Sequence, residues 1–412
     1  MELKKNQKKI LLISSGQPSL NPRLVKEADA LANAGYEVSV MYAYWNDWGT
    51  RYDKQLLAER KWKAIRVGGD PEQALFTWFL SRLILKTANY LLQKTGNYKY
   101  FADLAIARSS FFLKRAAKKL KADLYIAHNL GALPAVVKTA LRNKKPCGFD
   151  AEDFHRQEIT DDINSFHFKI CSHLEDKYLP LVNYMSASSP LIADNYAILY
   201  NVKVTSILNV FTKTSRPPCI NNNKPLKLFW FSQTIGPNRG LEIIIEAMGL
   251  TKASTELHLL GQLGDGYRRH LFQLAQTSGI SKDRIYFYAP VALDEIFNIA
   301  SQFDIGLASE TGFCLNNSIA LSNKLFTYIQ SGLAVAASNT PAQSVFIHQY
   351  PQTGKIYSNP VELSVILNQY NENRELLGET KKGSFKIGQT QLNWENESQR
   401  FLALVTGILS KN

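Results

Sequence analysis

Residues 10–42, ILLISSGQPSLNPRLVKEADALANAGYEVSVMY, contain the unit from which the fold is predicted. The short apolar run Ile10–Ser14 is followed by a glycine and a proline, which indicates a buried strand. A helical pattern over Leu24–Ala34 stops at a second glycine, and Glu37–Tyr42 has the pattern of the next strand. Because a strand, a helix and a strand in succession join parallel strands, this unit predicts a parallel sheet covered by helices.

The same alternation continues on both sides of one interruption. Before it, the pattern predicts strands at Asp123–Ala127, Cys147–Ala151 and Tyr184–Ala187, and helices at Ala132–Arg142 and Ser189–Tyr200. The segment Thr212–Pro225 has three prolines and no periodicity, which predicts a linker. After it we expect the strands Leu226–Ser232, Glu256–Leu260, Arg284–Tyr288, Ile305–Ala308 and Ala334–Ala337, and the helices Gly240–Met248, Tyr267–Thr277, Leu293–Ala300 and Lys324–Gln330.

These boundaries predict two Rossmann-like domains of similar size in an α/β fold. We expect an N-terminal domain at 1–211, a linker at 212–225, a C-terminal domain at 226–392, and a closing helix at 393–412 that packs back on the N-terminal domain. The polar stretch Gly383–Asn393 is expected to separate the closing helix from the second domain. A length of 412 residues, 45% hydrophobic and 20% charged, fits this organisation. Doubly wound domains bind ligands beyond the carboxyl ends of their strands, so the site is expected in a cleft between the two sheets.

Composition excludes several classes of protein. The four cysteines are scattered without a C-x-x-C pair, so neither a disulfide framework nor a structural zinc site is predicted, and a reducing, cytoplasmic location is expected. No apolar stretch approaches the 18 or so residues of a membrane-spanning helix. The start of the chain, Met1–Lys9, is basic, but the apolar run Ile10–Ile13 is too short for a signal peptide.

The net charge of +13 is concentrated in the first part of the chain. Residues 1–122 contain 22 lysines and arginines against 10 acids, whereas the remaining residues contain 26 against 25. One half of the molecule therefore presents a positive field, and its partner is a nucleic acid, an anionic membrane or an anionic substrate.

In the first domain, polar residues cluster where predicted strands end. The turn at Gly16 follows the first strand, but no G-x-G-x-x-G motif accompanies it, which disfavours a dehydrogenase. After the fourth strand, the segment from Asp150 to His155 includes Glu152 and can orient a hydroxyl or accept a proton; helix-capping acids are the alternative. His128, ending the preceding strand, is a weaker candidate that can equally be structural.

In the second domain, two loops resemble anion-binding sites. The loop Thr234–Gly240 joins a strand to a helix and contains Arg239, and a cation beside a helix N-terminus favours a phosphate. Ser322 or Asn323 is a good N-cap for the helix that carries Lys324, and the free amides of its first turn favour an anion in the same way. An ordinary loop and an ordinary capped helix are the alternatives.

Together these motifs resemble the retaining glycosyltransferases of family 4 (glycosyl transferases group 1), over nearly the whole chain. The most specific match is Asn323–Val335, NKLFTYIQSGLAV, which is close to the family pattern N-K-L-F-E-Y-hydrophobic-x-x-G-hydrophobic-P-V. Ser232–Glu242 is similar to the family's nucleotide-sugar diphosphate segment, and Arg284–Ile299 to the segment beside the nucleobase. Asp123–Pro134 and Phe149–His155 resemble its acceptor-side strand ends.

The resemblance implies a GT-B fold, in which two doubly wound Rossmann-like domains face each other across a cleft. It implies transfer of a sugar, of hexosyl type, from a nucleoside diphosphate-sugar to a hydroxyl of a glycan or lipid-linked acceptor, with retention, in cell-surface polysaccharide or glycolipid synthesis. Neither a metal nor a cofactor beyond this donor is expected. The residues carried over as catalytic are Glu152, Asp150 and His128, and those carried over as donor-binding are Gly16, Thr234, Arg239, Gly240, Glu310, Ser322, Asn323 and Lys324.

The sequence also departs from the family pattern. Ile319 and Thr327 stand where the family has two glutamates eight residues apart, and Glu310 is a nearby substitute. Glu152 replaces the histidine of the family's D-A-H-E-like segment. A catalytically inactive GT-B-like subunit that binds carbohydrate or acts as a scaffold is therefore the alternative function. No nucleic-acid-binding motif is present, so no nucleic-acid partner is expected.

Between Phe76 and Lys121, aromatic and basic residues interleave. Helices with an aromatic face and a basic face lie in a bilayer interface, which predicts reversible attachment to the cytoplasmic leaflet and a membrane-proximal acceptor. The alternative is that Trp78, Leu83 and Leu91 belong to an ordinary core, with solvated lysines outside.

Overall fold

The computed structural model describes residues 7–219 and 225–411. It divides into two compact units. The first comprises the chain through Ile207, the short segment Cys314–Asn316 and the chain from Ser398 on; the second comprises Leu208–Phe313 and Asn317–Glu397. The predicted linker at 212–225 falls partly on residues 220–224, which lie outside the described residues.

The first unit is built on a seven-stranded sheet whose strand pairings are all parallel, in the order β3-β2-β1-β4-β5-β6-β7. The strands are β1 (Lys9–Ser14), β2 (Glu37–Ala43), β3 (Lys63–Val67), β4 (Leu124–His128), β5 (Cys147–Ala151), β6 (Tyr184–Ala187) and β7 (Val204–Ser206). The helices are α1 (Pro22–Asn33), α2 (Asp47–Ala58), α3 (Leu75–Thr95), α4 (Tyr98–Ala105), α5 (Ser110–Ala117), α6 (Leu133–Asn143), α7 (Phe166–Tyr178) and α8 (Pro190–Tyr200).

The second unit is built on a six-stranded sheet, again with parallel pairings, in the order β10-β9-β8-β11-β12-β13. Its strands are β8 (Leu226–Ile235), β9 (Thr255–Leu263), β10 (Ile285–Tyr288), β11 (Ile305–Ala308), β12 (Ala334–Ser338) and β13 (Gly354–Tyr357). The helices from here to the chain end are α9 (Leu241–Leu250), α10 (Asp265–Thr277), α11 (Leu293–Ala300), α12 (Leu315–Ile319), α13 (Asn323–Ser331), α14 (Pro341–Gln349), α15 (Pro360–Glu372), α16 (Arg374–Thr390) and α17 (Trp394–Ser410). Short 3₁₀ helices lie at Pro18–Leu20, His155–Gln157, Leu179–Leu181, Lys282–Arg284 and Pro351–Thr353.

The central strands of both sheets are buried, as expected for parallel sheets covered by helices on both faces. Every residue of β4 and β5 is buried, and so is every residue of β11. In the second unit, α9 supplies Ile244, Ile245 and Met248 to a core that also holds Trp230. Among the described helices, none combines the length and the apolarity needed to cross a bilayer.

The end of the chain differs from the sequence expectation. The stretch Gly383–Asn393 was expected to be a polar separator, but α16 runs through Thr390, so this expectation is wrong. On α16, the buried Lys381 donates from Nζ to the carbonyl of Phe303 at 2.7 Å, and the backbone carbonyl of Gly388 accepts a hydrogen bond from Gln330 of α13 at 3.1 Å. In the first unit, α17 buries Phe401 and Val405 completely.

Candidate functional site

In the first sheet, strand order reverses between β1 and β4, so the loops after these strands leave toward opposite faces and a crevice opens between them. The two loops are joined because Ser15 donates from Oγ to Oδ1 of Asn129 at 2.6 Å. Asn129 has a positive φ of 61°, and a Cβ on Gly131 would lie 2.5 Å from Ser15 Oγ. Gly16 lies in the first of these loops, and its N–H donates to Ser14 Oγ at 3.1 Å.

A cavity of about 860 Å³ lies at this crevice, and we call it the acceptor-side cavity. Three kinds of side chain line it. The loops after β1 and β4 contribute Ser15 and Asn129, and the chain after β5 contributes Glu152, Asp153 and His155. Much of the remaining wall is aromatic or basic, with Asp47 and aliphatic residues beside these side chains, and it includes Tyr44, Trp45, Trp78, Arg82, Lys86 and Arg108. Aromatic faces beside hydrogen-bonding groups suit a polar ligand with apolar ring faces.

Beneath the cavity, four buried side chains form what we call the buried ion network: Arg23, Glu27, His128 and Asp150. The guanidinium of Arg23 binds both oxygens of Asp150, with Nε at 2.6 Å and Nη2 at 2.7 Å. Its Nη1 donates to the carbonyl of Ile207 at 2.5 Å. The imidazole of His128 lies 3.4 Å from Asp150 and 3.2 Å from Glu27. The network therefore ties α1, β4, β5 and the chain after β7 together.

Each ionisation in the network depends on its neighbours. Burial alone would raise the pKa of Asp150, but the charges of Arg23 and His128 outweigh it and the pKa is lowered. Burial alone would lower the pKa of His128, but the carboxylates of Glu27 and Asp150 raise it. Glu27 itself has a raised pKa because burial and the charge of Asp150 disfavour its ionised form.

The atoms of Glu27, His128 and Asp150 that could hold a metal lie within 4.8 Å of one another. Both oxygens of Asp150, however, are occupied by the guanidinium of Arg23, which already supplies a positive charge at this position. A metal cation would have to displace that guanidinium or be repelled by it. We therefore interpret the trio as an ion-pair network and not as a metal centre.

Of the three residues carried over as catalytic, the structure brings only Glu152 to the acceptor-side cavity. Asp150 and His128 are fully buried and do not line it, so as placed they act on a ligand only through other side chains. Burial and the nearby charge of Asp150 raise the pKa of Glu152 to about 7. Its Oε1 is buried without a hydrogen-bond partner among the described residues, and it is free to receive one from a ligand.

His155 completes the polar side of the cavity. Its Nδ1 lies 2.9 Å from Oε2 of Glu158, which also lines the cavity. Burial alone would lower the pKa of His155, but Glu158 outweighs burial and raises the pKa to about 9. The imidazole is therefore a cation at neutral pH. Like Oε1 of Glu152, its buried Nε2 has no hydrogen-bond partner among the described residues.

In the second sheet, strand order reverses between β8 and β11, and the loops after these strands again meet. Gly240, at φ 70°, begins α9, and a Cβ there would lie 3.0 Å from Ser309 Cβ. Ser309 donates from Oγ to the carbonyl of Arg239 at 2.8 Å, and Trp230 donates to Ser309 Oγ at 3.0 Å. The backbone of the loop at Arg239 is thus fixed. Thr234, which was predicted to lie in this loop, belongs to β8, because the strand runs on to Ile235; the side chains of Thr234 and Arg239 are both exposed.

Next to Ser309 lies an ion pair between Glu310 and Lys324, 2.7 Å apart. Asn317 donates to the other oxygen of Glu310 at 3.1 Å. Burial alone would raise the pKa of Glu310, but Lys324 outweighs it and, with hydrogen bonds from Asn317 and Ser322, lowers the pKa. The carboxylate is therefore ionised at neutral pH, and it fixes Lys324 at the first turn of α13.

The first turn of α13 leaves its amides without a side-chain cap. Ser322 occupies the N-cap position, as predicted, but its side chain makes no capping hydrogen bond, and Asn323 is exposed. Ile319 and Thr327, which the sequence resemblance aligns with two glutamates, are buried. Five of the residues predicted to bind the donor are thus linked to Ser309 or to one another, and we call this group the donor-side cluster: Arg239, Gly240, Glu310, Ser322 and Lys324.

Several residues of these sites were missed from the sequence. Ser309 and Trp230 fix the loop at Arg239, and the position of Ser309 directly after β11 was a usable signal. Arg23 had no local signal, because it lies on α1 and its partner Asp150 is 127 positions away.

No protein-family model and no curated protein matches the sequence. Solved structures match it over nearly the whole chain. HepE of Anabaena in complex with UDP-glucose has 13% identity and a TM-score of 0.63, covering 97% of this chain and 100% of that one. Sucrose-phosphate synthase from Thermosynechococcus elongatus has 13% identity and a TM-score of 0.68, covering 98% and 100%. A point mutant of S. aureus TarM, in complex with fondaparinux, alpha-GlcNAc-glycerol and UDP, has 11% identity and a TM-score of 0.68, covering 97% and 99%.

The fold is GT-B. The predicted fold class, α/β with two doubly wound parallel sheets, is thereby confirmed. In this GT-B chain, both candidate sites lie at the strand-order reversals of their own sheets, where open α/β sheets bind ligands.

The interaction between His155 and Glu158 should make the stability of the folded protein depend on pH. The raised pKa of His155 means that its cation stabilises the folded state fully below its ordinary pKa of 6.5, and that this contribution is lost as the pH rises through about 9. The difference in free energy of unfolding between the wild type and Glu158→Gln, measured by urea unfolding, should therefore be largest near pH 6 and shrink toward pH 9. Asp194→Asn, at an exposed position of α8, is the control and should show no such trend. An equal difference at both pH values would contradict the assignment.

Proposed function

We propose that this chain is a glycosyltransferase that moves a sugar, of hexosyl type, from a nucleoside diphosphate-sugar to a hydroxyl with retention. The donor-side cluster carries the proposal, because it places cations and uncapped helix amides at the strand-order reversal of the second sheet. The likeness to HepE in complex with UDP-glucose and to TarM in complex with UDP supports a uridine or similar nucleotide as one product.

On the donor side, charge stabilisation is the main requirement. When the bond between the sugar and the diphosphate breaks, negative charge develops on the leaving phosphate, and prearranged cations and amides stabilise it. Arg239 and Lys324 supply the cations, and the first turn of α13 supplies the amides. Glu310 holds Lys324 in place and takes over the role of the missing family glutamates. Gly16 and Thr234 stay predicted donor contacts, and no metal or further cofactor is required by this scheme.

On the acceptor side, Glu152 is the group that meets the hydroxyl. Its ionised carboxylate accepts the hydrogen bond of the attacking hydroxyl and orients it, and the unpartnered Oε1 is the atom available for this contact. The hydroxyl oxygen forms the new bond to the sugar as the bond to the diphosphate breaks; the electron pair of the broken bond leaves with the diphosphate, and the hydroxyl proton passes to the carboxylate of Glu152. Asp150 and His128 act on Glu152 through their charges: the charge of Asp150 raises the pKa of Glu152, and the charge of His128 lowers it.

The acceptor is a glycan or lipid-linked molecule used in cell-surface polysaccharide or glycolipid synthesis, according to this proposal. The exposed ring of Trp45 in the acceptor-side cavity gives a stacking surface for a sugar. We propose a cytoplasmic location with reversible attachment to an anionic membrane. Nucleic acid has no part in this proposal.

The face of α3 supports membrane attachment. Phe76, Phe79, Leu83 and Tyr90 recur at helical spacing and are 57–81% exposed. Lys86 and Lys94 are exposed along the same stripe. Leu83 therefore does not belong to a core, contrary to the alternative reading of this helix. An apolar stripe with lysines beside it suits the interface of an anionic bilayer.

A catalytically inactive GT-B-like subunit is the second candidate. The burial of Ile319 and Thr327 favours it, since neither position presents a carboxylate to a ligand. Such a subunit would bind a nucleoside diphosphate without releasing it from any nucleotide-sugar, whereas the enzyme does both.

The donor side is tested with Arg239→Ala. Charge-assisted contacts contribute about 1.5–3 kcal/mol, so the best-binding member of a nucleoside diphosphate panel should bind at least about tenfold more weakly in calorimetry. Arg142→Ala, an exposed arginine of the first unit, is the matched control and should bind as the wild type does. Unchanged affinity in Arg239→Ala would refute this assignment.

The acceptor side is tested with Glu152→Gln, which keeps the shape and removes the charge. Turnover should fall about tenfold or more while nucleoside diphosphate affinity stays unchanged, and wild-type turnover should decline as the pH falls below about 7, the pKa of Glu152. Glu59→Gln, at an exposed position, serves as the control. Full activity in Glu152→Gln would contradict this assignment and indicate that Glu152 has a structural role.

Membrane attachment is tested by vesicle sedimentation. Wild-type protein should bind vesicles containing phosphatidylglycerol, bind phosphatidylcholine vesicles poorly, and dissociate as salt rises. Phe76→Ser with Phe79→Ser should lose most of this binding, whereas Ile198→Ser with Leu199→Ser, on the exposed face of α8, should retain it. Equal binding to neutral vesicles, or equal binding by both double variants, would count against α3 as the attachment surface.

A further inference from the structure

A second pocket of the first unit lies between α4, α5 and α6 and has a volume of about 500 Å³. We call it the basic pocket. It shares no lining residue with the acceptor-side cavity. Its charged lining consists of one acid, Asp103, and five cations: Lys99, Lys114, Arg115, Lys118 and Lys138.

The one acid of the basic pocket is already fully engaged. Asp103 forms an ion pair with Lys138 and lies 3.3 Å from Nζ of Lys177. The hydroxyl of Tyr178 lies 2.8 Å from both of its oxygens. Burial alone would raise the pKa of Asp103, but these partners outweigh burial and lower it. Asp103 is therefore already paired with two lysines, Lys138 and Lys177.

The remaining cations of the basic pocket have no ion-pair partner of their own. Lys99, Lys114, Arg115 and Lys118 form no ion pair with a carboxylate in the described parts of the chain. Burial and the charge of Lys138 lower the pKa of Lys114, as expected where like charges are confined together. An anion that enters such a pocket removes this repulsion and gains charge-assisted hydrogen bonds.

The rest of the lining is apolar. Tyr100, Leu104 and Phe111 complete the wall, and Tyr100 is exposed. A phosphate group offers several acceptor oxygens and up to two charges, which suits clustered lysines, while its organic substituent can contact the apolar side.

We propose that the basic pocket binds a phosphate group, carried either by a lipid headgroup or by a small soluble phosphate compound. The site is separate from the donor-side cluster, and the proposal does not depend on glycosyl transfer.

The test compares two probes by calorimetry: inorganic pyrophosphate, and dihexanoyl phosphatidic acid below the concentration at which it forms micelles. In Lys114→Gln with Lys118→Gln, affinity for at least one probe should fall fivefold or more. Lys252→Gln with Lys282→Gln, exposed lysines of the second unit, should bind as the wild type does. The wild type and the lysine variants are compared again in the Arg239→Ala background, in which pyrophosphate binding at the donor-side cluster is weakened, so that the remaining binding reports on the basic pocket.

The two probes distinguish the sources. A preference for phosphatidic acid that is lost in Lys114→Gln with Lys118→Gln assigns the pocket to a lipid headgroup, and equal binding of both probes assigns it to soluble phosphate. Unchanged affinity for both probes in a variant with the wild-type melting temperature would overturn the proposal. Arg115→Gln, at an exposed position, is the second variant if the double substitution lowers stability, and wild-type affinity for both probes there would overturn the proposal as well.

Discussion

The bidentate ion pair between Arg23 and Asp150 is the interaction on which the first unit depends. It is fully buried, and it links α1 to β5 while the third nitrogen of the guanidinium binds the chain after β7. Removing one partner of such a pair costs about 3–5 kcal/mol, because the other charge is left buried without compensation. The pair also fixes Asp150, whose charge raises the pKa of Glu152. The electrostatic environment of Glu152 therefore depends on this ion pair.

In the second unit, a smaller set of contacts holds the candidate site residues in place. Ser309 accepts a hydrogen bond from Trp230 and donates one to the carbonyl of Arg239, so a core aromatic residue determines where the loop lies. The adjacent Glu310 holds Lys324 by an ion pair. One short segment after β11 thus fixes both the backbone at Arg239 and the ammonium group of Lys324, although these residues are far apart in sequence.

Sequence reasoning succeeded where burial leaves a strong apolar signal. Strands such as Cys147–Ala151 and Ile305–Ala308 were predicted with the bounds that the structure shows, because central strands of a parallel sheet are buried and mostly apolar. The missed strands β3, β7 and β13 all lie at sheet edges. An edge strand is only partly buried, and β3 accordingly contains Lys63 and Arg66. These charged residues interrupt the apolar run by which a buried strand is recognised.

The candidate site residues were predictable only in part, because their partners are remote in sequence. Position after a strand indicated both Glu152, which lines the acceptor-side cavity, and Asp150, which is buried beneath it. Sequence position could not separate the two, because the partner that distinguishes Asp150, Arg23, is remote in sequence. In α16, polar residues such as Lys381 concealed a helix, since their buried hydrogen bonds are made to residues far along the chain.

The central claim, that the chain releases a nucleoside diphosphate from a nucleotide-sugar, is tested most directly by measuring that release. The purified protein is incubated with a panel of nucleoside diphosphate-sugars, with and without glycan and lipid-linked acceptors, and nucleoside diphosphate formation is compared with that of Arg239→Ala. The account predicts release from at least one donor, increased by an acceptor and strongly reduced in the variant. Binding of a nucleoside diphosphate without release from any donor would contradict the enzymatic function and favour the inactive GT-B-like subunit.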